Sequence, residues 1–428
     1  MNMKLFYRCK TDHSVGGVAH LWRIVLSVYF VMNVMVGCSG EDDEEFVVAD
    51  IADTGQSSIA DVETDIVPDE QGPSFLSFEN ACSDSDNCEP THSCLPVAEQ
   101  NAGICVLKPS DAATITDPIS EQNTTSLPNL SCVGASPPEA SGNTVRLFGF
   151  VDRFGTGGVT TGLEVRVFKA EGFHPEKCDL LDQEDRTACY LSLFDDTSVL
   201  LGKTVSIEPK PPADPDEVCF EDIDCPIGYN CEKIAGFKSC AKNYGLYEIE
   251  EIPTHTPLVI MVSSPDNKED WHDTFLFNVM LFDQFAVEGS YRYDPTVVSE
   301  GQWQTVPSTL LTEIEPGNGA IGGRIRDCAT DRPSWNIFGA TVGFAAKVGR
   351  IGYFNDKESD ALPDPSRSST NIHGRFVGLD IMPGTNWVTA TALVDGAEAN
   401  LGAHRVYVFP NSLTVVSFPG QVPYAAQE

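Results

Sequence analysis

The chain has 428 residues, with 27 Lys and Arg against 63 Asp and Glu, a formal net charge of −36 and 41% hydrophobic residues. That charge repels phosphate backbones and anionic lipid surfaces, which excludes nucleic acid as a partner and leaves acidity chiefly as a solubility device. The length gives room for two or three packed domains.

The first landmark is a basic stretch carrying Lys4, Arg8, Lys10 and Arg23, then an apolar run over 24–36. A membrane span needs about 20 apolar residues. This run is shorter and meets Glu41-Asp42-Asp43-Glu44-Glu45 almost at once. It ends in Val34-Met35-Val36-Gly37-Cys38-Ser39, which resembles a bacterial lipobox. The resemblance implies that 1–37 is a lipoprotein signal peptide and that Cys38 becomes the lipid-bearing N-terminus. The remaining chain then lies in the cell envelope, held to the membrane by an anchor and not by a span. Ser39 after the cysteine implies, in lipoproteins of the enterobacterial type, the outer membrane, on its periplasmic or surface side. From Ser39 to residue 80 there is no Lys or Arg, and Asp, Glu, Ser and Ala dominate. Like charges with few aromatics bury too little apolar surface to offset ordering entropy, so 38–80 is expected as an acidic, disordered tether.

Next comes Cys82-x5-Cys88-x5-Cys94-x10-Cys105, and the rhythm returns as Cys219-x5-Cys225-x5-Cys231-x8-Cys240. Acidic residues precede the second cysteine each time, Asp84 and Asp86 in one case and Asp222 and Asp224 in the other. Zinc sites favour closer Cys pairs, and an envelope compartment oxidises thiols, so these are disulfide modules over 81–107 and 216–242. Four cysteines allow three pairings. The modules are similar to small epidermal-growth-factor-like domains, a resemblance that implies first-to-third and second-to-fourth bridges. Those are Cys82 with Cys94 and Cys88 with Cys105, then Cys219 with Cys231 and Cys225 with Cys240. Domains this small have little core, and each bridge contributes about 2–4 kcal/mol. The Asp pairs read as solvated turn carboxylates in preference to calcium ligands.

Residues 108–142, rich in Ser, Thr, Pro and Asn, are expected as a linker. From Thr144 the pattern becomes short β-branched and aromatic runs punctuated by Gly and Pro. One series covers 144–151, 163–168, 199–207, 246–249, 258–262 and 275–282. A second covers 321–326, 341–346, 374–379, 387–393, 405–409 and 413–418. No convincing amphipathic helix is read. The series predict two antiparallel β-sandwiches, 143–290 with the second cysteine module inserted and 318–420, joined by a connector at 291–317.

Within the second series stand Gly323-Arg324-Ile325, Gly339-Ala340-Thr341-Val342, Thr370-x3-Gly374-Arg375-Phe376 and Pro383-Gly384-Thr385. Residues 319–395 therefore resemble a carboxypeptidase-regulatory-like domain, the transthyretin-like or prealbumin-like sandwich. Gly374 and Gly384 fall at turns where positive φ is cheap for glycine. Residues 144–264 resemble the plan less cleanly, through Gly149-Phe150-Val151, Gly162-Leu163-Glu164-Val165, Gly245-Leu246-Tyr247 and Ile252-Pro253-Thr254. The Thr before the turn Gly is missing there, and the second cysteine module runs almost into Gly245, as a loop insertion would. The fold expected is all-β: two prealbumin-like sandwiches, two small disulfide-rich modules and a disordered tether. Such motifs specify fold and hardly function. Of the remaining cysteines, Cys178 and Cys189 flank a short acidic loop and can close on each other. Cys132 and Cys328 are left to staple the start of the first sandwich to the second.

Motifs for catalysis are not evident. Gly317-Asn318-Gly319-Ala320-Ile321-Gly322 matches a dinucleotide fingerprint, but a β-run follows it where a helix is needed, so no cofactor is expected. No Gly-x-Ser-x-Gly, His-Glu-x-x-His or His-x-x-Glu occurs. The chain ends in Tyr424-Ala-Ala-Gln-Glu and lacks the Tyr-Arg-Gly-Ser tail of transthyretin-like purine-pathway hydrolases. Self-crosslinking pilin-type sandwiches need a first-strand Lys, whereas the bases here are Arg146, Arg324 and Arg326. Trp271 and His272, an aromatic beside polar groups, are the ligand-binding candidates. Asp356, Glu358 and Asp360 are calcium candidates, weighed against an ordinary solvated loop, and Trp303 and Trp335 are further loop aromatics. The reading is a non-catalytic envelope lipoprotein for binding, adhesion or scaffolding, with an unknown protein or glycan partner. The alternatives are a carbohydrate-binding module, which needs exposed aromatics at one loop end, and an envelope hydrolase, which needs a convergent polar pocket.

Overall fold

Leu258–Ser263, sequence LVIMVS, is apolar at every position but the last, the pattern of a strand buried on both faces. Leu258, Ile260 and Val262 enter one core, and Val259 and Met261 enter another. This strand lies inside an eight-stranded sheet that organises the molecule. The computed structural model describes residues 80–97, 102–117, 122–135, 138–155, 160–208, 229–234, 237–242, 245–265, 270–328, 335–357 and 361–419. All of them belong to one compact unit, Gly72–Glu428. The expected signal segment 1–37, Cys38 and the rest of 38–79, Cys219, Cys225, Glu358 and Asp360 lie outside the described residues.

The sheet runs Arg350–Tyr353, Arg375–Ile381, Gly319–Ile325, Leu413–Phe418, Thr274–Val279, Leu258–Ser263, Glu164–Lys169 and Leu200–Val205. The first three strands come from the predicted second sandwich and the last four from the first. Leu413–Phe418 joins them, parallel to Thr274–Val279 on one side and to Gly319–Ile325 on the other. Its other pairings being antiparallel, the sheet is mixed. Placing this strand at the seam covers two edges that would otherwise present unpaired backbone groups.

Register shows how the halves are covered. Leu276 is level with Ile260 and Val415, and Val415 with Gly322, so these share one face; Phe275, Thr414 and Ile321 share the other. On the Leu276 face the first half is covered by the three-stranded sheet of Leu246–Pro253, Thr144–Phe150 and Ser290–Arg292. Val145, Leu147, Ile249 and Ile252 pack there against Leu258, Ile260 and Leu276. On the Ile321 face the second half is covered by Thr341–Phe344, Gly384–Val394 and Ala397–Val408. Val342, Phe344, Val388 and Ala390 pack there against Ile321, Ile325, Phe376 and Phe418. The two sandwiches thus share one sheet and use its opposite faces. Gly374 and Gly384 have φ of +65° and +138°, the region glycine occupies without strain.

Each half also has a second cover. Phe173, Tyr190 and Phe194 close the first half against Phe168, Phe275, Tyr407 and Phe409, in an aromatic cluster drawing on both halves. On the second half, Leu310 and the half-buried Trp303 and Val306 pack on Phe354, Val377, Leu379 and Leu413. These covers include α-helices, Gln183–Phe194 and Glu300–Thr309, which the sequence reading did not find. Both are short and weakly periodic. Their starts are set by caps: Asp182 accepts from the Asp185 backbone, and Ser299 forms a capping box with Gln302. The latter helix and strand Thr296–Ser299 fall in the expected connector 291–317.

The expected linker 108–142 also carries structure. Thr114–Asp117 pairs antiparallel with Asn336–Phe338, and Ala113 and Ile115 are buried in the second core. A strand of four residues embedded in Ser and Pro is too short for its alternation to be visible.

The first cysteine module is a hairpin of His92–Pro96 and Gly103–Leu107 edged by Ala81–Cys82, with Cys94 opposite Cys105. Cys82 is joined to Cys94 and Cys88 to Cys105. It docks on the second sandwich, where Leu95, Val97, Ile104 and Val106 bury against Ala345, Trp387 and Ala403. A Cβ at Gly343 would stand 2.5 Å from Val106 Cγ2, so that close approach requires glycine. Thr341 Oγ1 donates to the Leu107 carbonyl at 2.6 Å, and Ser93 Oγ to Glu398 at 2.7 Å. In the second module Tyr229–Ile234 pairs with Phe237–Lys242 and sets Cys231 opposite Cys240, the same register. The base of this insertion is closed by reciprocal backbone bonds between Ile207 and Leu246 at 2.8 and 3.0 Å.

Candidate functional site

The sequence candidates occupy structural positions. Trp271–His272 is a two-residue strand paired with Val298 and Ser299. His272 Nε2 lies 2.6 Å from Glu300 Oε2, its Nδ1 lies 2.9 Å from the Asn411 carbonyl, and its ring stacks on Trp303 with centroids 4.2 Å apart. The hydrogen bond from His272 holds the Glu300 carboxyl below its usual range. The ring is thus held at both of its nitrogens. The histidine therefore fastens helix Glu300–Thr309 to the sheet margin. Trp271 is half-buried against the first core, Trp335 against the second, and Trp387 is buried beneath the first cysteine module. Trp303 lines a small apolar cavity of about 100 Å³ under its helix. The tryptophans among the described residues are packing groups, and they do not gather at one loop end.

Asp356, the described member of the calcium candidates, is ion-paired with Arg367 and accepts from the Ile372 backbone at 3.2 Å. Asp84 caps a single helical turn and accepts from the Asp86 backbone at 3.0 Å. The sulfurs of Cys82, Cys88 and Cys105 lie close together, but all three are in disulfides and offer no thiolate. Cys178 is bonded to Cys189, and Cys132 to Cys328. Beside the former bridge, Tyr407 donates to Asp179 and meets the Tyr190 hydroxyl at 2.6 Å. Burial raises the pKa of all three groups. This polar triplet joins helix Gln183–Phe194 and the turn before it to the second sandwich.

The site that sequence reasoning missed lies at the seam, on the Leu276 face. There the strands on either side of Leu413–Phe418 run past the end of the apolar cover and leave a polar cavity of about 420 Å³. Arg292, Arg324 and Arg326 line it with Asp152, Asp294 and Asp327. Arg324 stands directly opposite Arg375, and like charges so placed repel. Arg292 is ion-paired to Asp294 at 3.0 Å, and Asp294 also accepts from the Phe150 backbone at 2.8 Å. Asp327 Oδ1 accepts from the Trp335 backbone at 2.9 Å and its Oδ2 from that of Asn129 at 3.4 Å. Arg326 differs. Its half-buried guanidinium makes no ion pair among the described residues, and its Nε is shut from solvent with no hydrogen-bond partner. Burial lowers its pKa, Tyr293 opposes that shift, and the charge of Arg375 adds to it. Across the cavity Asn278, at a backbone φ of +59°, holds an Nδ2 that is likewise buried and unpartnered. The sequence signal was present as Arg324-x-Arg326, two bases on one strand face in a chain poor in bases, but the opposing Asn278 comes from the other half.

No family model matches the chain. No curated protein matches it either. Among solved structures it is similar to the shaft pilin SpaA from Lactobacillus rhamnosus GG, at 9% identity over 64% of this chain and 97% of that one, with a TM-score of 0.17. It is also similar to GBS52, the minor pilin of Streptococcus agalactiae, at 8% identity over 64% and 94%, with a TM-score of 0.15. At these scores the likeness carries no weight for function.

Proposed function

We propose that the chain is a non-catalytic lipoprotein of the bacterial cell envelope, anchored through Cys38, that serves as a scaffold for binding or adhesion. The observation that carries this reading is the way the folded part is held together. One strand unites two sandwiches in a single sheet, and the four disulfides among the described residues clamp segments to it, including Cys132–Cys328 across a separation of 196 residues. Bridges of this kind persist in oxidising compartments, which supports an extracytoplasmic location. Side chains suited to chemistry, such as His272 and Tyr407, have both their polar partners and their packing inside the fold. By analogy with the first module, the second is closed by Cys219–Cys231 and Cys225–Cys240.

The test is fractionation of cells producing the wild type or Cys38→Ser. The wild type should sediment with outer membranes and the variant should be released. Retention of Cys38→Ser on membranes would contradict the anchor. Where the variant is released, crosslinking in the intact envelope should capture a protein partner only for the wild type.

A further inference from the structure

We propose that the seam cavity binds a small ligand through one oxyanion group, a carboxylate or a phosphate, gripped by Arg326 and assisted by Asn278. In a chain of net charge −36, three arginines line one cavity, Arg292 from the covering sheet, Arg324 from the central one and Arg326 just past Arg324's strand, with Arg375 opposite Arg324. The carboxylates that could neutralise them are engaged: Asp294 with Arg292 and a backbone N–H, Asp327 with two backbone N–H groups, and Asp152 with a partner of its own. Among the described residues Arg326 is left as a sheltered cation without a counter-charge, an arrangement that is costly unless something pairs with it. A guanidinium offers two parallel N–H donors to a carboxylate or phosphate, and this fork geometry makes arginine selective for such groups.

Asn278 belongs to the first half of the sheet and Arg326 follows directly on Gly319–Ile325 of the second. Both residues line the same cavity, and Arg326 Nε and Asn278 Nδ2 lack a hydrogen-bond partner in its wall. Asn278 also sits in the left-handed region, uncommon for any residue other than glycine, although asparagine tolerates it best. A strained residue with an unspent donor in a cavity wall is what a binding site retains. A volume of about 420 Å³ falls within the range of small-molecule sites. The inference does not depend on the lipid anchor and stands or falls on this cavity alone.

The experiment is thermal unfolding and calorimetric titration of the oxidised full chain with sodium phosphate, acetate, citrate and glucuronate, against chloride at equal ionic strength. At least one oxyanion should raise the midpoint saturably where chloride does not. A response to phosphate alone assigns the phosphate class, and a response to the carboxylates assigns theirs; either supports the site. Arg326→Gln should weaken the dissociation constant by about tenfold or more. Asn278→Gly keeps the backbone conformation while removing Nδ2, and should weaken it by a few fold. This second variant decides the matter if Arg326→Gln does not fold. Absence of any oxyanion effect beyond chloride would overturn the proposal, as would variants that bind as tightly as the wild type.

Discussion

The two halves of the central sheet solve one problem in opposite ways. The first half buries its Leu276 face under a β-sheet and its Phe275 face under helix Gln183–Phe194; the second buries its Ile321 face under a β-sheet and its Val377 face under helix Glu300–Thr309. The order of covers is reversed, yet the register through Leu413–Phe418 is continuous. Two sandwiches of similar plan therefore need not stack as beads. A C-terminal strand paired with both converts them into one body, and the leftover corner between their staggered covers becomes the polar cavity.

Substitutions in the two cores carry the largest expected effects. Ile260→Ala in the first half and Ile321→Ala in the second remove side chains with no solvent exposure. Each should cost about 2–5 kcal/mol by loss of burial and creation of a cavity. If the halves are one unit, both substitutions lower the same transition, measured by denaturant unfolding followed at more than one probe. A transition that responds to only one of them would separate the halves. The staples come next. Loss of Cys132–Cys328, which spans 196 residues, should cost more than loss of Cys178–Cys189, which spans 11, both within about 2–5 kcal/mol. Equal costs in paired Cys→Ser variants would remove the long bridge from the account.

At neutral pH the smallest expected effect concerns His404, which comes into play only as pH falls. It is buried edge-on to Phe418 at 4.5 Å, and burial lowers its pKa to about 3. In the unfolded chain a histidine titrates near about 6.5. Between these values the unfolded state binds the extra proton, so stability falls as pH drops below about 6.5 and levels off near about 3. In a pH series of unfolding midpoints His404→Phe should flatten that slope within the second half, whereas an unchanged slope would assign the acid sensitivity elsewhere.

Sequence legibility followed element length and local contrast. The β-rich class was legible because strands such as LVIMVS and TVRLFGF are long, β-branched and bounded by Gly or Pro. The repeat of the cysteine modules was legible from spacing, and the shared register of Cys94 with Cys105 and Cys231 with Cys240 gives it a structural counterpart. Thr114–Asp117 was hidden because four residues carry almost no period, and the helices because their caps, not an apolar stripe, define them. The shared sheet was unreadable for a different reason. Nothing local to Leu413–Phe418 says that it pairs with segments over 130 and about 90 residues upstream on its two sides. The seam cavity inherits that obscurity, because Arg326 and Asn278 meet only once the pairing exists. Trp271 and His272 drew notice for their chemistry, but composition alone does not distinguish a ligand contact from a histidine held at both nitrogens.

The measurement that bears most directly on this architecture is differential scanning calorimetry of the oxidised protein. One body built on a common sheet predicts a single cooperative transition with equal calorimetric and van't Hoff enthalpies. Two resolved transitions, each altered only by substitutions in its own half, would contradict it.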